Sequence, residues 1–182
     1  MELKNNFQLS RITSKDYDEV VSLVNSAYRG DSSRLGWTTE AKYLDGQRID
    51  LQILNEEVQN SNKSLFCLRA EDNLEIIGTV QLEKFEDDKG IGCYLGMLTV
   101  KPSLQNTGLG KWLMSQAETH AKEWGARRIT LGVLNPRQEL MAWYQRRGYR
   151  STGQRESFPV NHDKFGYPKI KDLHFLMFEK TI

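Results

Sequence analysis

The chain has 182 residues, of which 38% are hydrophobic and 27% charged, an ordinary balance for a single globular domain over 1–182. A net charge of +1 argues against nucleic-acid binding, and no apolar run is long enough to cross a membrane. The first residues lack the apolar segment of a signal peptide, so the sequence predicts a soluble cytoplasmic protein.

The first half of the chain predicts two helices among four strands. Apolar residues at helical spacing predict one helix from Thr13 or Ser14 to Tyr28, and Asp50 is expected to cap another that ends near Asn60. The strands predicted from alternation or from short apolar runs are 7–12, 65–69, 76–85 and 92–100. The last three follow one another through short turns, so we expect them to be antiparallel.

The second half begins with a strand–helix–strand unit. The helix is expected to start near Leu109, to bury Leu113, Ala117 and Ala121, and to end at Gly125. A strand over 128–134 follows, which implies parallel pairing with the strand before the helix. The remaining predicted elements are a helix over 138–147 and strands over 149–155 and 173–179, with a loop over 157–171 between the strands.

The two cysteines, Cys67 and Cys93, are too few for a disulfide framework or a metal site. Both lie in apolar strand-like runs, which indicates small buried side chains. No spacing of His, Cys, Asp or Glu typical of metal ligands occurs, so no metal is expected.

The segment 29–47 contains three glycines and shows no sustained period. It is too long for a simple connection, and Trp37 and Tyr43 argue against disorder. Two interpretations stay open: a wall on the substrate side of a site, or a loop whose aromatic residues cover the edge of the domain.

The segment 98–111 predicts a phosphate-binding turn, because a strand ends at Pro102, a small-residue turn follows, and a helix begins near Leu109. The first turn of a helix presents unpaired N–H groups, and the helix dipole favours an anion there. The nucleoside-triphosphate loop would need glycine at Gln105 and Ser or Thr at Trp112, so that motif does not match. The dinucleotide motif fails as well, because Leu113 stands where it needs glycine.

The motif that remains, Gln105-x-x-Gly108-x-Gly110 directly after a strand, resembles the acetyl-coenzyme A pyrophosphate loop of the GCN5-related N-acetyltransferase (GNAT) family. A second segment also resembles that family. There a strand ending at Asn135 is followed by a helix with Tyr144, Gly148 and Tyr149 at the matching spacing, with tyrosine in place of the last phenylalanine. The two motifs occur in the family's order, and the resemblance covers about 7–155.

The resemblance implies an α/β fold with a mixed, V-splayed, seven-stranded sheet flanked by helices. It also implies that acetyl-coenzyme A, the co-substrate, binds where the strand from Cys93 diverges from the strand ending at Asn135. Main-chain groups of Leu98 and Val100 would pair with the pantetheine arm, and N–H groups of 105–111 would hold the pyrophosphate. The full expected set is Leu98, Thr99, Val100, Gln105, Asn106, Thr107, Gly108, Leu109, Gly110, Lys111, Asn135 and Tyr144.

The implied reaction is direct attack of a neutral amine on the thioester within a ternary complex. Tyr144 matches the family's general acid, which would protonate the departing thiolate; the alternative is a tyrosine that only packs on the coenzyme. Glu83 is a candidate general base; the alternative is a solvent-facing strand residue beside Lys84.

The acceptor is expected to be a small-molecule or peptide amine, with Trp37, Glu40 and Tyr43 as candidate binding residues. Glu40 and Asp45 are candidates for binding a cationic amine. The protein is expected to be a monomer or homodimer with no nucleic-acid or membrane partner. Two rival functions stay open: a non-catalytic acyl-coenzyme A sensor and a nucleoside-triphosphate binder.

Overall fold

The computed structural model describes residues 7–159 and 165–182, and its centre is a seven-stranded sheet of order β1-β3-β4-β5-β6-β9-β7. The strands are β1 Phe7–Arg11, β2 Leu44–Asp45, β3 Lys63–Ala70, β4 Ile76–Asp87, β5 Gly90–Val100, β6 Arg128–Leu134, β7 Arg150–Ser157, β8 Tyr167–Pro168 and β9 His174–Thr181. Within this sheet only β5 and β6 pair in parallel, and the other neighbours are antiparallel. The predicted mixed seven-stranded α/β fold is therefore confirmed.

Four α-helices accompany the sheet in the described part of the chain, and the second begins at a side-chain cap. They are α1 Tyr17–Tyr28, α2 Leu51–Gln59, α3 Leu109–Glu123 and α4 Gln138–Gln145, with short 3-10 turns at Ser14–Asp16, Ser32–Leu35 and Pro102–Leu104. The Asp50 carboxylate accepts the Ile53 N–H at 2.7 Å and caps α2 as predicted. Asp16 accepts the N–H and the hydroxyl of Thr13 at the entry to α1.

Helices cover both faces of the sheet. On β3, Phe66 and Leu68 belong to the cluster under α3, whereas Leu65 and Cys67 belong to the cluster under α1 and α2. Successive strand residues point to opposite faces, so these two clusters lie on opposite sides. Cys67 and Cys93 are both fully buried and unpaired, which confirms their prediction as small core residues.

The parallel strands β5 and β6 diverge after three paired positions. Their pairing covers 92–94 against 128–130, and β5 then runs on to Val100 without a strand on that side in the described part of the chain. A bulge in β5 lies beside this opening: Met97 and Leu98 stand opposite Val80, and Met97 has a φ of +43°. The hydroxyls of Thr79 and Thr99 both donate to the Met97 carbonyl, which holds the bulge in place.

Several local predictions need correction. The segment 29–47 contains β2, whose two residues pair with β8 in the late loop, and neither strand was predicted. Helix α4 ends at Gln145 rather than at Arg147. The His120 side chain is 34% exposed, and its ring stacks on Phe66 at a centroid distance of 4.7 Å. His162 lies outside the described residues.

Candidate active site

The turn between β5 and α3 carries a run of free main-chain donors. The backbone N–H groups of 106–111 donate to no group among the described residues, and Trp112 is the first to bond back, to the Gly108 carbonyl at 3.0 Å. Asn106 and Gly108 adopt left-handed φ values of +63° and +95°, which turn the chain into the helix. Six neighbouring donors at the positive end of a fifteen-residue helix suit a multiply charged anion.

The turn opens into a cavity of about 340 Å³, which we call the glycine-loop cavity. It lies between this turn, the free edge of β5, and α4. Of the residues predicted from sequence, those lining it are Trp37, Leu98, Thr99, Val100, Gln105, Asn106, Gly108, Gly110, Lys111 and Tyr144. The structure therefore brings together most of the expected cofactor-binding residues.

Three expected residues lie apart from this lining. The Thr107 hydroxyl donates to the Leu104 carbonyl at 2.7 Å, and the Leu109 side chain is buried in the core. The Asn135 side chain joins the end of β6 to the start of β9, through the Asp172 carbonyl and the His174 N–H. Contact of these three side chains with the cofactor stays a prediction.

A second cavity, of about 230 Å³, lies between the diverging strands, and we call it the splay cavity. The two cavities share Tyr28, Leu98, Arg137, Leu140 and Tyr144 in their walls. A group held at this junction can be reached from both sides, which is the arrangement that a two-substrate reaction needs.

Tyr144 stands at the junction and is only 6% exposed. Its ring packs edge-on against Trp143 and Tyr149, at centroid distances of 5.1 and 5.7 Å, so its position is fixed. Its hydroxyl has no hydrogen-bond partner among the residues that the structure describes. Burial raises the pKa of Tyr144 well above its usual value, and the nearby Tyr28 raises it further. The phenol is therefore protonated at neutral pH.

Tyr28, at the end of α1, faces Tyr144 across the junction and was not predicted as a site residue. Its hydroxyl donates to the Leu98 carbonyl at 3.1 Å, which ties α1 to the bulge in β5. Burial raises the pKa of Tyr28 as well. From the sequence alone, Tyr28 could be placed only on the apolar face of a helix.

Glu40 lines the splay cavity, but its carboxylate is already held by two buried arginines. Arg29 contacts one oxygen at 3.1 Å and Arg137 the other at 3.0 Å, and all three side chains are at most 8% exposed. This placement leaves no oxygen free of a guanidinium for the cationic amine that the sequence suggested. Asp45 is exposed and bonds Lys169 at 3.0 Å.

The other two candidate substrate-binding residues, Trp37 and Tyr43, lie in different parts of the structure. Trp37 lines the glycine-loop cavity, where its backbone N–H bonds to the Gln105 side chain. Tyr43 packs against Leu44 and the neighbouring leucines, and it lines neither cavity. Its contact with substrate stays a prediction.

Glu83 lies on β4 outside both cavities. Its carboxylate is 3.4 Å from Lys63 and its side chain is 39% exposed, so the structure shows an ion pair at the sheet surface. Its role as a general base stays a prediction.

Residues 7–159 and 165–182 contain no group of three His, Cys, Asp or Glu side chains placed to hold a metal ion. Their helices include none with the length and hydropathy needed to span a membrane.

Comparison with known proteins agrees with this architecture. The model of the acetyltransferase (GNAT) family matches residues 19–149, and the chain belongs to this family. A search of the curated proteins finds no match.

Solved structures share the whole fold at low sequence identity. A GNAT family acetyltransferase from Elizabethkingia anophelis with acetyl-CoA bound is 16% identical, with a TM-score of 0.66 over 98% of this chain and 100% of that chain. The protein smu.2055 from Streptococcus mutans is 16% identical, with a TM-score of 0.69 over 96% and 98%. The ribosomal-protein-S18-alanine N-acetyltransferase from Escherichia coli is 13% identical, with a TM-score of 0.63 over 97% and 94%.

Family membership supports an acyltransferase that uses acetyl-coenzyme A. At these identities the solved structures establish the fold alone.

Proposed function

We propose that this protein transfers the acetyl group of acetyl-coenzyme A to a primary amine by direct attack in a ternary complex. The observation that carries the proposal is that Tyr144 lines two cavities, one of which is also lined by the turn that carries the free N–H donors. Acetyl-coenzyme A would lie in the glycine-loop cavity and reach the diverging strands only at the junction, the acceptor would occupy the splay cavity, and the two would meet at Tyr144.

The N–H groups of 106–111 fit a diphosphate, because they have no other partner among the described residues and point from the positive end of α3. Lys111 and Arg147 line the same cavity and add positive charge. Along the free edge of β5, the Val100 carbonyl accepts from Gln105 and the Leu98 carbonyl from Tyr28. A carbonyl oxygen has two lone pairs, so each retains one acceptor site for an amide of the pantetheine arm.

Two groups on this chain would assist the chemical step. A backbone N–H near Leu98 or Thr99 is suited to the thioester oxygen as it gains negative charge, and a fixed donor there needs no reorientation. Tyr144 would give its proton to the departing sulfur. Burial raises the pKa of Tyr144, but a thiolate formed in the same buried site is destabilised for the same reason, so proton transfer between them stays feasible.

The proton that leaves the amine needs another acceptor. Glu40 is the one carboxylate among the described residues lining the splay cavity, and both of its oxygens are bound by arginines. We therefore propose that water accepts this proton, with Glu83 acting only through intervening water if it takes part.

The direct test is release of free coenzyme A thiol from acetyl-coenzyme A in the presence of a panel of amines, with the acetylated amine identified by mass spectrometry. The proposal expects amine-dependent release and one acetyl group per thiol. Binding of acetyl-coenzyme A without turnover of any amine would instead support a sensor. Tight ATP binding that coenzyme A does not displace would support a nucleotide-binding protein.

A further inference from the structure

The splay cavity is rich in positive charge. Its described lining contains Arg29, Arg48 and Arg137 against the single carboxylate of Glu40, which gives three positive charges and one negative, a formal excess of +2. This excess stands out because the whole chain has a net charge of only +1.

The arginines also keep unused donors. Arg29 and Arg137 are each only 6% exposed, and the buried Nε and Nη1 of Arg29 and the Nε of Arg137 have no hydrogen-bond partner among the described residues. The Glu139 carboxylate lies 4.0 Å from the Arg137 Nε, beyond hydrogen-bond distance. These nitrogens are closed off from solvent, so they add positive potential to the wall of the cavity rather than open donor sites for a ligand.

Arg48 is the third cation and has no carboxylate partner in the described structure. It is half-buried, and its guanidinium lies 5.6 Å from the centre of the Tyr28 ring. A cation–π contact of this kind holds the side chain beside the junction but leaves its charge uncompensated.

Aromatic side chains form another part of the same wall. Phe158 and Phe175 stack at a centroid distance of 6.0 Å, and Tyr94 and Phe165 also line the cavity. A cavity that combines guanidinium groups with aromatic rings suits a small ligand with both an anionic group and an apolar group.

We propose that the acceptor is a small amine that carries a carboxylate or similar anion close to its nitrogen, as in an α-amino acid, together with an apolar or aromatic side chain. This inference rests on the proposed acetyltransferase function and names the substrate class of that site. The same cations lower the pKa of an ammonium group bound near them, which favours the neutral nucleophile. Polyamines and other purely cationic amines are repelled.

The test compares acceptors that differ only in the anion. Phenylalanine, leucine and methionine are each measured beside their own amide and their own decarboxylated amine, with thiol release as the readout. We expect kcat/KM for the amino acid to exceed that for either analogue without the carboxylate by about 10- to 100-fold, the range for a charge-assisted hydrogen bond. Equal rates for the amino acid and its amide would overturn the inference and leave acetyl transfer intact.

Arg48→Gln tests whether a cation of the splay cavity recognises the carboxylate of the acceptor. The variant should raise KM for the amino acid by about tenfold or more and leave KM for the decarboxylated amine within about threefold. Arg127→Gln is the matched control, because Arg127 is exposed at the opposite end of β6, and it should change neither value. An equal rise of both KM values in the Arg48 variant would overturn the inference.

A binding measurement separates failure of this inference from failure of the proposed function. Calorimetry of N-acetylphenylalanine and of its amide needs no turnover. Preferential binding of the carboxylate, lost in Arg48→Gln, supports an anion site even if no amine is acetylated. Equal binding of the two compounds, or binding of neither, overturns it.

Discussion

Gln105 joins two walls of the glycine-loop cavity through its side-chain amide. Its oxygen accepts the Trp37 N–H at 3.0 Å, and its NH₂ group donates to the Val100 carbonyl at 3.2 Å. The first residue of the glycine motif therefore fixes the segment 29–47 against the end of β5.

Removing this link should loosen the cavity. We expect Gln105→Ala to raise KM for acetyl-coenzyme A by about 3- to 30-fold, the loss of one or two neutral hydrogen bonds, with a smaller effect on kcat. Gln116→Ala is the control, since that side chain on α3 makes no hydrogen bond within the described part of the chain. An unchanged KM in Gln105→Ala would show that the link does not shape the site.

Gly108 and Gly110 should respond differently to alanine. Gly108 has a φ of +95°, which an L-residue adopts only with strain, so Gly108→Ala should distort the donor cluster and raise KM for acetyl-coenzyme A by about tenfold. A Cβ at Gly110 would meet Trp143 at 3.5 Å, an ordinary contact, so Gly110→Ala should leave KM within about threefold. A larger rise in KM for Gly110→Ala than for Gly108→Ala would show that the left-handed φ of Gly108 does not determine binding of acetyl-coenzyme A.

Tyr144→Phe removes one hydroxyl and keeps the packed ring. We expect kcat to fall by about 10²- to 10⁴-fold with little change in KM for acetyl-coenzyme A, as for loss of a general acid. The free energy of unfolding should change by less than about 0.5 kcal/mol, because the hydroxyl has no partner among the described residues. A large loss of stability without a loss of kcat would favour a packing role.

The pH dependence of the wild-type rate tests whether Tyr144 stays protonated. Burial raises the pKa of Tyr144 above its usual value of about 10, so the acid stays protonated and the rate should not fall between pH 7 and about pH 10. A falling alkaline limb below pH 10 that disappears in Tyr144→Phe would mean that the pKa of Tyr144 is lowered rather than raised.

Local sequence signals were sufficient for most of the fold. The Asp50 cap, the buried stripe of Leu113, Ala117 and Ala121, and the strand before Pro102 each depend on neighbouring residues, and the structure contains all of them. The donor cluster follows from the same local order of strand, turn and helix. Its prediction needed no knowledge of distant contacts.

Long-range pairings could not be predicted in this way. Glu40 and Arg137 are 97 positions apart and meet only because α4 returns beside the segment 29–47. The β2–β8 pair has two residues in each strand, too few to show alternation, and the bulge residue with a left-handed φ is Met97 rather than a glycine, so the sequence gives no signal of the bulge. The buried arginines of the splay cavity therefore became visible only in the structure.

Glu40 should be important for stability. Glu40→Ala leaves the buried guanidiniums of Arg29 and Arg137 without their shared carboxylate, which should cost about 3–5 kcal/mol of unfolding free energy in urea denaturation. Glu139→Ala is the control, because that carboxylate is 42% exposed and 4.0 Å from Arg137, and it should cost under about 1 kcal/mol. Equal losses of unfolding free energy in the two variants would show that the cluster of Arg29, Glu40 and Arg137 does not stabilise the fold.

The central claim is that main-chain donors after β5 hold the diphosphate of acetyl-coenzyme A and so direct its thioester to Tyr144. A crystal structure of the complex with coenzyme A tests it most directly. We predict diphosphate oxygens about 3 Å from several backbone nitrogens of 106–111, with the sulfur beside the Tyr144 hydroxyl. A coenzyme bound elsewhere, with those nitrogens untouched, would contradict the account.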